Sequence, residues 1–196
     1  MEPLLEALQG TDKAVVRRAV EGLVALAADV PEVARVLEER LRTAPGWPVA
    51  YVLGQITHPS APCLEVLAWG LGSGDQDLRW ATQLLLTDLG KRYPEVGARL
   101  EGLLSDGSAT QRRMAVYCLR DIAADAAALP AALLEAVRDP EPLVRVAVVT
   151  SLAKAPEIEP ETLVALRRAA ADDADARVRN AAAFAVKRFD KPPPLP

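Results

Sequence analysis

The sequence predicts an all-α fold, a solenoid of about six stacked two-helix repeats. Three observations predict it: a segment that recurs at fixed spacing, prolines that return between the recurrences, and a composition suited to close helix packing. Asp139-Pro140-Glu141-Pro142-Leu143-Val144-Arg145-Val146-Ala147 has one counterpart earlier in the chain, Asp106 to Met114, and one later, Asp173 to Ala181. With the arginine as marker, Arg79, Arg112, Arg145 and Arg179 stand 33, 33 and 34 residues apart. A constant period of this length is the signature of a repeat array, because one helix pair cannot bury both its faces and must stack on a neighbour. Ala, Leu and Val dominate while aromatics are only 4%, which favours close-packed helices over a sheet sandwich.

The elements follow from the punctuation. Pro130 opens a helix over 131–137, Arg138-Asp139-Pro140 forms a turn, and a second helix runs from Glu141 to Lys154. Pro160 opens the next unit, with a helix from Glu161 to Ala170, a turn at 171–174 and a second helix from Asp175 to Phe189. Proline fits the first turn of a helix, where its missing N–H has no partner to lose, and costs about 3 kcal/mol in a helix interior. Its regular return therefore marks boundaries: Pro31, Pro62, Pro94, Pro130 and Pro160 follow positions 17, 48, 79, 112 and 145 by 14, 14, 15, 18 and 15 residues. Arg17 carries the phase to the N-terminus, 62 residues before Arg79. Pro48 stands where the second unit should have its arginine. Six units result, 1–28, 29–58, 59–91, 92–124, 125–155 and 156–190, read as a single domain with a proline-rich tail over 191–196. Apolar residues two and seven after the marker, with those at −1 and +3, make a helical stripe in most units.

The segment 139–147, followed by Ser151-Leu152-Ala153-Lys154, resembles the second half of a HEAT repeat, in particular the variant named for phycobiliprotein lyases. The resemblance covers nearly the whole chain and is strongest in units three to six. It implies a right-handed superhelix in which the second helices line the concave surface. It also implies that Asp106, Asp139 and Asp173 cap their second helices, with Ser73 replacing the aspartate in unit three. By the same resemblance Arg17, Arg79, Arg112, Arg145 and Arg179 join these aspartates in a ladder between units. Unit two has neither residue, so the ladder should lapse there.

Catalytic patterns are sparse. His58 is the only histidine, which excludes the di-iron hydroxylases built on such repeats and argues against triads and most zinc sites; it reads as a solvated loop residue. Gly70-Leu71-Gly72-Ser73-Gly74 follows no strand, so it reads as a turn and not a dinucleotide loop. The acidic pairs Glu38-Glu39 and Asp172-Asp173, with Asp75 and Asp77, read as caps and solvated surface. Cys63 and Cys118 have no metal spacing and read as small buried residues in a reduced compartment. No cofactor or metal is expected.

Surface readings rest on helical spacing. Positions one, four or five, and eight or nine after the marker share an outward ridge on each second helix. They are Arg18 and Glu21 in unit one, then Trp80, Gln83, Thr87 and Asp88 in unit three. Unit four contributes Arg113, Tyr117, Arg120 and Asp121, unit five Val146, Thr150 and Lys154, and unit six Asn180, Phe184, Lys187 and Arg188. Trp47 and Tyr51 are further candidates. From these, Trp80, Gln83, Arg113, Tyr117, Arg120, Lys154, Phe184 and Lys187 are the expected partner contacts, since aromatics and arginine anchor binding surfaces. The expected activity is a non-catalytic, cytoplasmic protein–protein scaffold that holds a partner segment in the groove. A net charge of −4 argues against general nucleic-acid binding, and no apolar run approaches a membrane span. Two alternatives stand beside it: a DNA glycosylase of the alkyl-base type, for which Trp69, Trp80 and Asp75 supply the residue types, and a bilin-lyase-like subunit.

Overall fold

The computed structural model describes residues 1–123 and 131–190, and among them every regular element is helical. Helix-opening Pro130, the 124/125 unit boundary and the 191–196 tail lie outside the described residues. The chain divides into two compact units, Met1–Val96 and Gly97–Pro196.

The first unit contains α1 (Glu2–Ala7), α2 (Lys13–Ala27), α3 (Glu32–Thr43), α4 (Trp47–Ile56), α5 (Ala61–Gly70), α6 (Gln76–Arg92) and the start of α7 (Pro94–Asp106). Helix α3 shows how sequence becomes packing. Val33, Leu37 and Leu41 recur every four residues and are buried, whereas Glu32, Arg35, Glu39 and Arg42 are exposed. Helices α1, α3 and α5 each pack against the even-numbered helix that follows, and α2, α4 and α6 lie side by side as a second layer. Leu5, Leu23, Leu53, Leu67 and Leu89 fill the space between, all essentially inaccessible. Burying such a leucine contributes roughly 2 kcal/mol.

Glycine allows the closest approach in this unit. A Cβ at Gly70 would lie 2.8 Å from Trp47 Cδ1 and 2.9 Å from Thr82 Oγ1. The bare backbone therefore makes room for a half-buried indole whose Nε1–H donates to Thr82 Oγ1 at 2.7 Å. Thr82 passes the chain on to the Leu78 carbonyl. This tie joins α4 to α6 in the stretch where no marker arginine exists.

The second unit holds the rest of α7, α8 (Ala109–Ala123), α9 (Ala131–Glu135) with a 3₁₀ turn over Ala136–Arg138, α10 (Pro142–Leu152), α11 (Pro160–Asp172) and α12 (Ala176–Phe189). Helices α8, α10 and α12 form its second layer, and α11 packs on α12. Val116, Leu119, Leu133, Val144, Val148, Leu166, Val178 and Ala182 make the core. Helix α10 stops at Leu152, so Lys154 lies in the turn beyond it and not on the helical ridge. Pro156, which has no N–H for the Leu152 carbonyl, accounts for the stop, and Arg188 of α12 donates to the carbonyls of Ala153 and Ala155 in the turn beyond.

The ladder exists in this unit as two full rungs. Arg112 gives Nε to Asp139 Oδ2 at 2.6 Å and Nη2 to Oδ1 at 2.9 Å, while its Nη1 donates to the Gly107 carbonyl. Arg145 repeats this on Asp173 at 2.8 and 2.8 Å, with Nη1 on the carbonyls of Asp139 and Pro140. Each turn thus serves two arginines, one through its aspartate side chain and one through its backbone. The aspartates do not cap the second helices. Asp139 Oδ1 accepts the Glu141 N–H and Asp173 Oδ1 the Asp175 N–H, two-residue turns placed just ahead of the helix-start residues Glu141 and Asp175.

Other members of the expected ladder depart from it. Asp106 ends α7 and pairs with Arg99 at 3.4 Å, because the turn that caps α8 begins after it. There Ser108 accepts from the Gln111 N–H while Gln111 Oε1 accepts from the Ser108 N–H, a reciprocal capping box. Ser73 is likewise not the cap of α6; Asp75 is, and Ser73 Oγ accepts the Asp75 N–H. Arg79 donates to the Ser73 carbonyl. Arg17 forms no rung and is exposed: α2 is capped by Asp12, which places Val16, not Arg17, in register with the ladder arginines.

Asp139 is buried, which by itself would raise its pKa, but the Arg112 hydrogen bonds, the Glu141 N–H and the charges of Arg112 and Arg145 outweigh this and hold it low. Asp173 is held low chiefly by its Arg145 hydrogen bond, against burial. A carboxylate with a depressed folded-state pKa adds stability that is present above the unfolded value of about 3.9 and lost as pH falls through the folded one. Urea unfolding followed by circular dichroism should therefore show stability falling below about pH 4, and Asp139→Asn with Asp173→Asn should flatten that slope. Asp139→Ala, which strands Arg112 and opens the turn, should cost about 3 kcal/mol at pH 7. Gly70→Ala should cost roughly 1–3 kcal/mol and raise the acrylamide quenching of the Trp47 fluorescence as the indole is pushed out.

Candidate functional site

The helix starts supply one frame for all six second helices. Their N-cap residues are Asp12, Gly46, Asp75, Ser108, Glu141 and Asp175. Four residues on lie Val16, Ala50, Arg79, Arg112, Arg145 and Arg179, the ladder register. Five and nine residues on, one helical turn apart and on a common face, lie Arg17 and Glu21, Tyr51 and Gln55, and Trp80 and Leu84 in the first unit. In the second unit the same positions are Arg113 and Tyr117, Val146 and Thr150, and Asn180 and Phe184. None of these twelve residues is buried.

In this frame several expected contacts keep their place and others change. Trp80 is 53% exposed and Phe184 71%, large apolar surface that water would otherwise disfavour. Arg113 and Tyr117 are half-exposed, and Lys187 is exposed one turn beyond. Gln83 is only 4% exposed and is not a contact. It stands eight residues after the N-cap, a register that is buried in α2, α4, α8 and α10 as well, at Val20, Gly54, Val116 and Val149. The neighbouring Leu84, 63% exposed, takes the outward place. A sequence signal for it exists: Leu84-Leu85-Leu86 sets three leucines in a row, and one apolar stripe of a helix cannot bury all three. Arg17, excluded from the ladder, stands in the outward register instead.

Within the second unit, the arginines on this face are partly held in place. Arg120 pairs bidentately with Asp121 at 2.7 and 2.9 Å and lies over the Tyr117 ring, 5.2 Å from its centroid. That contact stiffens the phenol ring against α8 and leaves its edge to solvent. Within the first unit, Trp47 stacks on Tyr51 at 4.5 Å, and burial raises the Tyr51 pKa. Lys13 at the start of α2 reaches Asp75 at 2.7 Å. Exposed pairs of this kind contribute little to stability, but this one spans the stretch without marker residues.

The groups that could do chemistry are otherwise engaged. Asp75 accepts the N–H groups of Asp77 and Leu78 as the cap of α6, and its pKa is lowered first by the Lys13 hydrogen bond. His58 is not simply solvated: it pairs with Glu95 and sits edge-on to the Tyr93 ring. Glu38 accepts from Ser60 and Glu39 pairs with Arg42. Among the described residues no three metal-ligating side chains converge, and no helix is long and apolar enough to cross a membrane. Cys63 and Cys118 are buried and form no disulfide with each other. Burial, with the Glu38 charge as a lesser cause, pushes the Cys63 thiol up to about 12.

Residues 96–187 match the family model for HEAT repeats. A search of curated proteins finds no match. Among solved structures, the chain is similar to an engineered protein at 16% identity, covering 95% of each chain with a TM-score of 0.43. It is also similar to a designed armadillo repeat protein in complex with the peptide (KR)4, at 16% identity, 96% coverage of this chain, 98% of the other and a TM-score of 0.45.

Because the thiolate is the reactive form, a thiol reagent at pH 8 should leave both cysteines unlabelled in the folded chain. Labelling should appear only across the urea transition, as read by absorbance of the released leaving group.

Proposed function

We propose that this chain, a HEAT-repeat protein over residues 96–187, is a non-catalytic cytoplasmic scaffold that holds an extended or helical segment of a partner protein. Each of the two units offers a contact face, the outward register of its own second helices. One observation carries this reading: positions five and nine after each N-cap are exposed or half-buried, never buried, in all six second helices, while position eight is buried in five of the six. A packing surface would vary with its neighbours, whereas this register is never buried and is filled with unlike side chains. In the first unit it carries Trp80 and Leu84; in the second it carries Arg113, Tyr117, Asn180 and Phe184. Within each unit the helix frame repeats while the outward pair differs from repeat to repeat, which is how a repeat surface distinguishes partners.

The composition of the face suits binding more than chemistry. Exposed aromatics beside arginines bury large area with few rotors to immobilise. The alkyl-base glycosylase reading needs an aspartate free to act beside a tryptophan, and Asp75 is committed to capping α6 and to Lys13.

The test uses photo-crosslinking from the ridge. With benzoylphenylalanine at position 184, and separately at position 80, the crosslinked protein is identified by mass spectrometry, and its affinity is then measured with purified components. Tyr117→Ala with Phe184→Ala should weaken binding at least tenfold, a loss typical of central anchors. Phe184 is exposed and Tyr117 half-buried, so the double variant should lose about 1 kcal/mol of stability, too little to unfold the chain. Unchanged affinity in that double variant, with Trp80→Ala and Leu84→Ala also silent, would remove the assignment. Retention on DNA that falls steeply with salt would favour the nucleic-acid reading instead.

A further inference from the structure

The last arginine of the ladder is set for a carboxylate that the described residues do not supply. Arg179 reproduces the anchoring of the two complete rungs: its Nη1 donates to the carbonyls of Asp173 at 2.7 Å and Ala174 at 3.0 Å, as Arg145 Nη1 does to Asp139 and Pro140. In Arg145 that anchoring aims Nε and Nη2 at Asp173, and in Arg112 the matching geometry aims them at Asp139. In Arg179 the same fork has no carboxylate among the described residues. A guanidinium fixed by two backbone acceptors has lost most of its rotamer freedom already, so a bidentate partner meets a pre-organised site.

A second observation coincides with it. The stripe one and two turns along from each ladder arginine is buried in the preceding helices of the second unit: Val116 and Leu119 on α8, Val149 and Leu152 on α10, all within 3% of fully inaccessible. The equivalent residues on α12, Ala183 and Val186, are half-exposed. The face that a following repeat would cover is therefore partly open at α12, and its apolar part lies directly beside the open fork.

We propose that this end of α12 docks a helical-repeat element of a partner protein, one that presents an aspartate from the turn preceding a helix. The aspartate completes a third rung on Arg179, and the helix behind it covers Ala183 and Val186. The occupant is not a second copy of this chain stacked end to end. The register that carries Asp139 and Asp173, two residues before the N-cap, holds Gly10 in the first repeat and Ala44 in the second, so neither brings a carboxylate. This surface uses positions four, eight and eleven of the helix frame, and is separate from the outward register at five and nine.

The probe is a fluorescent synthetic peptide with this chain's own 166–190 sequence, which contains the Asp173 turn and α12 and so mimics the element that fills Arg145. Its binding to the full chain is read by anisotropy. Saturable binding is expected, at least tenfold weaker when the peptide carries Asp173→Asn. Arg179→Lys in the chain keeps the charge but loses the fork, and should erase most of that tenfold difference between the two peptides. Ala183→Glu should weaken both peptides alike while leaving the thermal transition in place, which keeps the test independent of any damage to the Arg179 turn. Phe184→Ala should change nothing here, so failure of the outward-register reading would be seen separately. No saturable binding, equal affinity for the two peptides, or a tenfold difference that survives Arg179→Lys would each overturn the proposal.

Discussion

A guanidinium that holds two turns at once is the constraint on which the second unit depends. Arg145 binds the Asp173 carboxylate through Nε and Nη2 and the Asp139 and Pro140 carbonyls through Nη1, so one planar group ties the turn of its own repeat to the turn of the next. Arg112 does the same one repeat earlier. Because Asp139 also takes the Glu141 N–H, the carboxylate that receives the arginine sets the backbone turn that starts α10. Cross-repeat contact and local turn geometry are therefore one interaction, and neither can change without the other. These groups are largely desolvated, so leaving one partner alone costs far more than an exposed pair would.

The first unit solves the same problem with different chemistry. Its second repeat has Pro48 where the arginine is expected, and α4 is joined to α6 by an indole instead. Trp47 lies over Gly70, donates to Thr82 and stacks on Tyr51. An aromatic side chain supplies area and one directed hydrogen bond, where arginine supplies charge and a fork. The exchange is tolerated because in a repeat array each interface needs only to fit its neighbours. Counted from the N-cap, the outward register follows the same helical positions on both kinds of support, with Tyr51 and Trp80 in the first unit and Tyr117 and Phe184 in the second.

The distinction between frame and surface sharpens when the helix is counted from its N-cap and not from its arginine. In the second unit, Arg112 and Arg145 face the following repeat, and Asp139 and Asp173 face the preceding one, so these four are occupied by each other. The residue just after the arginine and the one a turn later are the ones that no neighbouring repeat buries. A one-position error is enough to exchange the two, since neighbouring residues on a helix differ by about 100°. Gln83 and Leu84 show the consequence: the polar residue is buried and the leucine is exposed. Arg17 shows it again, read as a rung when aligned by residue type and as an outward residue when aligned by its cap.

The two-helix repeat, its period and the proline boundaries were legible in the sequence, because each is a local property: a proline lacks an N–H wherever it stands, and an apolar stripe at helical spacing must be buried by something. The pairing of Arg112 and Arg145 with aspartates was also foreseen, through a resemblance carried by the 139–147 segment. What only the tertiary structure decided was phase. Asp106 ends a helix while Asp139 and Asp173 make rungs, although all three stand six residues before an arginine, because the α8 capping box of Ser108 and Gln111 starts the helix without it. Likewise the turn after α10 is held by Arg188, 33 residues beyond Ala155, which donates to the carbonyls there. Spacing along the chain states which residues could meet. Which of them do is settled by where a cap begins each helix and by what the neighbouring helix brings to its end.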